Sequence, residues 1–272
     1  MNTHHQLIHC LALSIEYKGR FIHGELPEIP EYYENPNPEQ KKEMERLGEI
    51  LDNLNKQGIR FIPYSFKEFP ECLQSSNETG APVGLFVKGD TDLRNLFQTT
   101  AGIVGTRDMS YYGRSATYAI VEEIKATNPR STIISGLAFG VDAIAHREAL
   151  NTGLKTVAVL PTCVDNIYPC QHKQLAEEIV DKGGALISHF PPGTAPAAIN
   201  FLSRNQIIAA LSDTLYVPES KAKGGAIVTA KYAYVLGKEI QAVPGRYDDV
   251  RSQGCNDLIK QGIADLWTKT KN

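Results

Sequence analysis

Apolar residues gather in short runs of four or five, separated by longer stretches in which they recur every three or four positions. From residue 101 onward the alternation is regular. Apolar runs lie at 101–105, 132–135, 156–160, 185–188, 214–217 and 240–243, and helical patterns fill the gaps at 113–126, 141–150, 172–182, 201–211 and 226–236. Strands alternating with helices of this length predict a doubly wound, mostly parallel α/β sheet with helices on both faces. A short helix over 255–261 and the segment 264–267 follow.

Upstream the pattern is less regular. Residues 7–15 are apolar and compatible with a strand or a helix, and 25–38 hold four prolines among acids, which predicts an extended surface segment. Residues 38–57 read as a charged helix with Met44, Leu47, Leu51 and Leu54 along one face, ended by Gly58. Strands are predicted at 59–64 and 83–90 with a turn of helix at 66–73, and 93–100 leads into the main sheet. The expected organisation is a divergent N-terminal segment over residues 1–60 and an α/β domain over residues 61–272.

Composition narrows the function classes. The 272 residues are 42% hydrophobic, enough for a sizeable core, and the net charge of −3 carries no global signature of nucleic-acid binding. A nucleic-acid site would have to be a local basic patch. The five cysteines form no C-x-x-C pair, and their odd number suits a reducing cytoplasm better than a disulfide framework. No charged leader or membrane-length apolar run is apparent, so a cytoplasmic protein is expected.

The carboxyl ends of the predicted strands are where an open α/β sheet places its ligands. The first gives Gly105-Thr106-Arg107 ahead of a helix, a glycine turn beside free amides and a fixed cation, which suits a phosphate. The others contribute Ser135-Gly136, the segment Asn200-Phe201-Leu202-Ser203-Arg204-Asn205, and Lys221-Ala222-Lys223-Gly224-Gly225. Glycines, hydroxyls and the cations Arg107, Arg204, Lys221 and Lys223 together predict a positive pocket rich in backbone amides. An aromatic among cations is what single-stranded nucleic acid needs, since bases stack on rings while cations hold phosphates. Phe201 is equally readable as core.

Catalytic alternatives are weaker. Asp142 and His146 share a helix face near Ser135, but no G-x-S-x-G elbow accompanies them, so Asp142 is read as an anchor of the glycine loop and His146 as an internal hydrogen-bonding group. Neither a catalytic residue nor a cofactor is assigned. His4, His5 and His9 read as surface residues, and no metal site is expected. The turn Gly-Thr-Arg also lacks the G-x-G-x-x-G of a dinucleotide site.

Taken together, the blocks Val104-Gly105-Thr106-Arg107 with Tyr112-Gly113, Ser135 to Asp142 with Ala145-His146, Asp165 with Tyr168-Pro169, Phe190-Pro191-Pro192-Gly193, Asn200-Phe201 with Arg204-Asn205, Gly225 to Ala230, and Ala242-Val243-Pro244-Gly245 resemble the DprA/Smf family of bacterial DNA-processing proteins. The resemblance covers about residues 62–266. It implies an extended Rossmann-like domain that binds single-stranded DNA without catalysis, protects incoming DNA during natural transformation, helps load the RecA recombinase, and works as a homodimer. The implied DNA- or phosphate-binding set is Gly105, Thr106, Arg107, Ser135, Gly136, Asn200, Phe201, Arg204, Lys223, Gly224 and Gly225.

This chain departs from the family pattern at Leu160-Pro161-Thr162-Cys163, Ser188-His189, Arg204-Asn205-Gln206 and Gly224-Gly225-Ala226, losing two loop glycines and one cation. Fewer cations predict a shallower salt dependence. No C-terminal winged helix is expected. The rival reading is a free-nucleotide sensor or a phosphoribohydrolase-like enzyme on a related fold, although its P-G-G-x-G-T-x-x-E stretch is only approximated at 223–229, without the glutamate.

Overall fold

The computed structural model describes residues 3–23, 27–28, 30–74 and 80–269. In chain order the elements are α1 (Thr3–Glu16), α2 (Pro38–Lys56), β1 (Ile59–Pro63), β2 (Gly84–Gly89), α3 (Leu93–Leu96), β3 (Thr100–Ile103), α4 (Tyr111–Thr127), β4 (Thr132–Ser135), α5 (Val141–Thr152), β5 (Lys155–Val159), α6 (Lys173–Asp181), β6 (Ala185–Ser188), α7 (Ala198–Leu211), β7 (Thr214–Val217), α8 (Gly225–Val235), β8 (Glu239–Ala242), α9 (Gln253–Lys260) and β9 (Asp265–Leu266). The strands form one sheet in the order β1-β2-β6-β5-β4-β3-β7-β8-β9. All neighbours are parallel except β1–β2 and β2–β6. This is the predicted doubly wound, Rossmann-like α/β architecture.

The order of strands explains where a ligand can sit. The chain runs outward from β3 through β4, β5 and β6, then returns to place β7 on the other side of β3. Loops leaving β3 and β7 therefore diverge to opposite faces and leave a crevice at their carboxyl ends. The two strands remain joined past their formal ends, by Val104 N–H donating to Tyr216 O and Thr106 N–H donating to Glu219 O at 2.8 Å.

Short strands buried on both faces need apolar cover on each side. One face packs Ile134, Val157, Ile187 and Leu215 against α7, α8 and α9. On the other, Ala101, Ile103 and Ile133 meet Ile120, Val121 and Ala145 of α4 and α5. Ile8 and Leu11 of α1 and Leu47 and Leu51 of α2 share a core with Phe61, Phe86 and Leu186, so the N-terminal helices cover the β1–β2–β6 end of the sheet. At α2, Asn37 accepts from Gln40 N–H while Gln40 accepts from Asn37 N–H, a reciprocal cap that fixes the helix start.

Two segments the sequence left open are settled by the fold, and one differs from its pattern. The ambiguous run 7–15 is helical, because its apolar residues wrap one side of α1. Of the turn expected over 66–73 only a 3₁₀ turn at Glu71–Leu73 forms, led in by Pro70, which cannot sit inside a helix. Within segment 264–267, Asp265–Leu266 form the edge strand β9, with Gln241 opposite Asp265. The proline-rich stretch 25–38 is partly outside the described residues, and its described part holds a 3₁₀ turn at Glu31–Tyr33.

Candidate functional site

The crevice at the β3–β7 switch point is a cleft of about 240 Å³ bordered by Gly105, Thr106 and Arg107 after β3, Arg204 and Asn205 of α7, and Lys221, Gly224 and Gly225 at the start of α8. The sequence-predicted set thus meets only in part. Gly105, Thr106, Arg107, Phe201, Arg204, Gly224 and Gly225 converge on it, whereas Ser135 and Asn200 do not border it.

Arg107 is exposed at the cleft. Among the described residues no carboxylate lies within 4.0 Å of it, and its guanidinium carbon sits 5.1 Å from the centre of the Phe201 ring. Phe201 in turn meets Tyr168 edge-on, with ring centres 5.6 Å apart. Arg107, Phe139, Tyr168 and Phe201 line a small recess beside the main cleft, with Phe139 and Tyr168 about two-fifths exposed. Exposed rings beside an unpaired guanidinium offer stacking surfaces and a phosphate contact within one base step. Sequence reasoning left Phe139 and Tyr168 out of the set. They come from different loops, and only the fold brings them to Phe201.

Arg204 behaves differently. It is 4% exposed, and its Nη1 donates to Gly136 O and to Val159 O at 3.0 Å while Nε donates to Asn205 Oδ1 at 3.1 Å. Gly136 carries no side chain because a Cβ there would overlap this guanidinium. Burial pulls the Arg204 pKa down to about 10, a fall resisted by the nearby Asp142 carboxylate, so the group stays charged at neutral pH. Arg204 is a brace between β5, the loop after β4 and α7, with one edge on the cleft.

Asp142 is also buried. Its carboxylate accepts from Gly136 N–H at 3.2 Å and Ala138 N–H at 3.4 Å. Desolvation raises its pKa, against the pull of Arg204 and these two amides. The anchoring role expected for Asp142 is the one its contacts describe. Ser135 is fully buried and its hydroxyl donates to Ile103 O at 2.6 Å, tying β4 to β3. His146 faces the other way. The Thr156 hydroxyl donates to Ile133 O at 2.8 Å and therefore accepts from His146 Nδ1–H at 2.7 Å, which leaves Nε2 buried without a partner among the described residues. Burial holds this imidazole neutral, with its pKa lowered to about 3. Ser135, Asp142 and His146 form no relay.

The helix start after Gly105-Thr106-Arg107 also differs from the expectation of free amides. Ser110 caps α4, and both its N–H, at 2.8 Å, and its hydroxyl, at 2.5 Å, donate to the buried carboxylate of Glu219. The chain's own acid occupies the position that an external phosphate would take. What remains open to an anion is the start of α8, where Gly224 stands at the cap without a side chain and no acid lies in the first turn. Lys221 borders this end but contacts Asp108 at 3.4 Å, and Lys223 is exposed on the loop outside the cleft. Asn200 lies on the far side of α7, where its Nδ2 donates to Pro161 O at 3.2 Å and Ala195 O at 3.1 Å.

Comparisons with known proteins show the family and the fold of the chain. The sequence profile of the DNA recombination-mediator protein A family matches residues 60–272. DNA processing protein DprA of Bacillus subtilis (strain 168) is 35% identical over 223 residues, covering 82% of this chain and 73% of that protein. Protein Smf of Escherichia coli (strain K12) is 36% identical over 209 residues, 77% of this chain, which spans about half (54%) of that protein. The X-ray structure of DprA from Streptococcus pneumoniae superimposes with a TM-score of 0.71 at 30% identity, covering 98% of this chain and 90% of that one. A structure of DprA from Helicobacter pylori, which concerns that protein's single-stranded DNA binding mode, gives a TM-score of 0.64 at 29% identity over 76% of this chain and 90% of that one.

Proposed function

The chain belongs to the DNA recombination-mediator protein A family, and from that premise we propose that it binds single-stranded DNA in the switch-point crevice as a non-catalytic step of DNA processing. The observation that carries the reading is Arg107, an exposed cation with no carboxylate partner among the described residues, stacked on Phe201 beside the exposed rings Phe139 and Tyr168. A duplex hides its bases, whereas a single strand can lay one on a ring while its phosphate meets the guanidinium. In this reading Arg107 and the amides at Gly105 and Gly225 hold phosphates, while Thr106 and Gly224, whose own N–H groups donate to Glu219 O and Lys221 O, shape the two turns; Lys223 adds an outer contact, and Arg204 supplies charge from within the wall while Gly136 accommodates it.

The wider role follows the same premise. We infer protection of incoming strands during natural transformation, delivery to the RecA recombinase, action as a homodimer and a cytoplasmic setting; no described helix is long and apolar enough to cross a membrane. Fluorescence anisotropy with a labelled oligonucleotide and its duplex, titrated at several salt concentrations, tests the core claim. Binding that prefers the single strand and weakens with salt is expected. Equal affinity for both, or stabilisation by a mononucleotide without oligonucleotide binding, would overturn it in favour of the free-nucleotide reading.

A further inference from the structure

We propose that a second, basic groove, between the N-terminal helices and the start of α7, carries the onward phosphates of the strand held at Arg107; this rests on the single-strand reading above. The groove measures about 960 Å³ and takes Lys18, Arg20 and Arg46 from the N-terminal side and Asn200 and Ser203 from α7. No carboxylate is among its described lining residues. Arg46 is engaged with Glu43 at 2.5 Å, whereas Lys18 and Arg20 are exposed and have no acid within 4.0 Å among the described residues.

These two cations are held in place. After α1 the chain reverses through Lys18 (φ 53°) and Gly19 (φ 70°), with Gly19 N–H donating to Ser14 O at 2.9 Å and Arg20 N–H to Tyr17 O at 3.0 Å. The reversal is seated on the end of β6, where a Cβ at Gly19 would fall 2.8 Å from His189 O, so only glycine lets the turn approach. Lys18 and Arg20 flank that seat. Opposite them, α7 begins behind Ala197 with no side-chain cap and no acid in its first turn, which leaves the positive end of the helix dipole facing the same space.

The groove and the crevice are two sides of one helix turn. Asn200 lies in the groove and Phe201, the next residue, in the crevice. Between them Ile199 and Leu202 stand 67% and 40% exposed, an apolar ridge on which bases could rest. A helix is roughly 10 Å across, and nucleotides repeat at about 3.4 Å or more along a strand. Crossing α7 therefore takes about three nucleotides, and a strand filling both sites is longer than one that fills the crevice alone.

The test compares oligothymidines of about six and about twenty nucleotides on the wild-type chain and on the K18E/R20E variant, whose side chains are exposed and whose melting temperature should stay unchanged. The wild type should bind the longer strand more tightly than its number of registers explains. K18E/R20E should lose about tenfold on the long strand and nothing on the short one, and its salt slope for the long strand should fall by about 1.4, two phosphate contacts at roughly 0.7 each. Wild-type affinity of the variant for the long strand, or an equal loss at both lengths, would overturn the proposal. So would protection of the wild type, but not of the variant, by inorganic phosphate or thymidine monophosphate without any length effect, since the groove would then serve a free phosphate. Failure of the wild type to bind either length would instead remove the single-strand reading itself.

Discussion

Replacing Arg204 by methionine keeps most of the side-chain volume and removes three hydrogen bonds. Gly136 O and Val159 O lose the guanidinium that satisfies them, and the buried Asp142 carboxylate loses a neighbouring positive charge. Breaking one side of such a buried arrangement costs about 3–5 kcal/mol. For a chain of this size each kcal/mol is worth about 2–4 °C, so the melting temperature should fall by roughly 6–20 °C. Adding Asp142→Asn should recover part of the loss, because the amide oxygen still accepts from Gly136 and Ala138 while the uncompensated charge is gone. The expected coupling in that double-mutant cycle is about 1–3 kcal/mol. Calorimetry of the four proteins measures it. An Arg204→Met protein that melts like the wild type but no longer binds an oligonucleotide would refute the reasoning, since Arg204 would then act on the ligand and not on the loop.

Arg107 and Phe201 should behave in the opposite way, with little change in melting. Arg107→Ala should cost about 1–3 kcal/mol of single-strand affinity and lower the salt slope by about 0.7, whereas Phe201→Ala should cost about as much with the slope intact, as loss of stacking predicts; anisotropy across a salt series separates them. Glu219→Ala should destabilise the fold by about 1.5–3 kcal/mol, because Ser110 loses a charged acceptor, and millimolar phosphate should restore some of that stability in a thermal melt. Acid should unfold the protein early. His146 and His189 have pKa values lowered to about 3 by burial, so below their unfolded value of 6.5 the unfolded chain binds the extra protons and stability falls with pH. Each contributes a loss of about 1.4 kcal/mol per pH unit in that window, and urea unfolding at pH 7 and 5 should show it shrinking in a His146→Gln variant.

Local patterning was sufficient for the sheet and insufficient for the charges. Strands β3 to β8 lie within two residues of the apolar runs, because a strand buried on both faces admits few polar residues and its limits are written in one stretch of chain. Run 7–15 was undecided because only its partners, Leu47, Phe61 and Phe86, select the helical face. The site gathers residues more than ninety positions apart, and the sequence offers Arg107, Arg204, Lys221 and Lys223 as cations of one pocket without showing what each of them contacts. The fold separates them by what else each can reach. Arg204 finds two buried carbonyls, Lys221 finds Asp108, Lys223 is exposed and does not border the cleft, and Arg107 finds a ring and, among the described residues, no acid.

That separation bears on how a chain of net charge −3 can hold a polyanion. The acids closest to the crevice are already committed. Glu219 accepts from Ser110 at the start of α4, Asp142 faces Arg204 and the loop amides, and Asp108 is shared by Lys221 at 3.4 Å and Arg251 at 3.6 Å. Each acid is matched to a cation or a helix end, so the local field is set by the groups left over: Arg107, the start of α8 and, across α7, Lys18 and Arg20. A sparse set of contacts separated by exposed rings suits a flexible strand better than a compact phosphate cluster, because each base step can settle on a ring independently. The expected signature is affinity that grows with length while losing relatively little to salt per nucleotide.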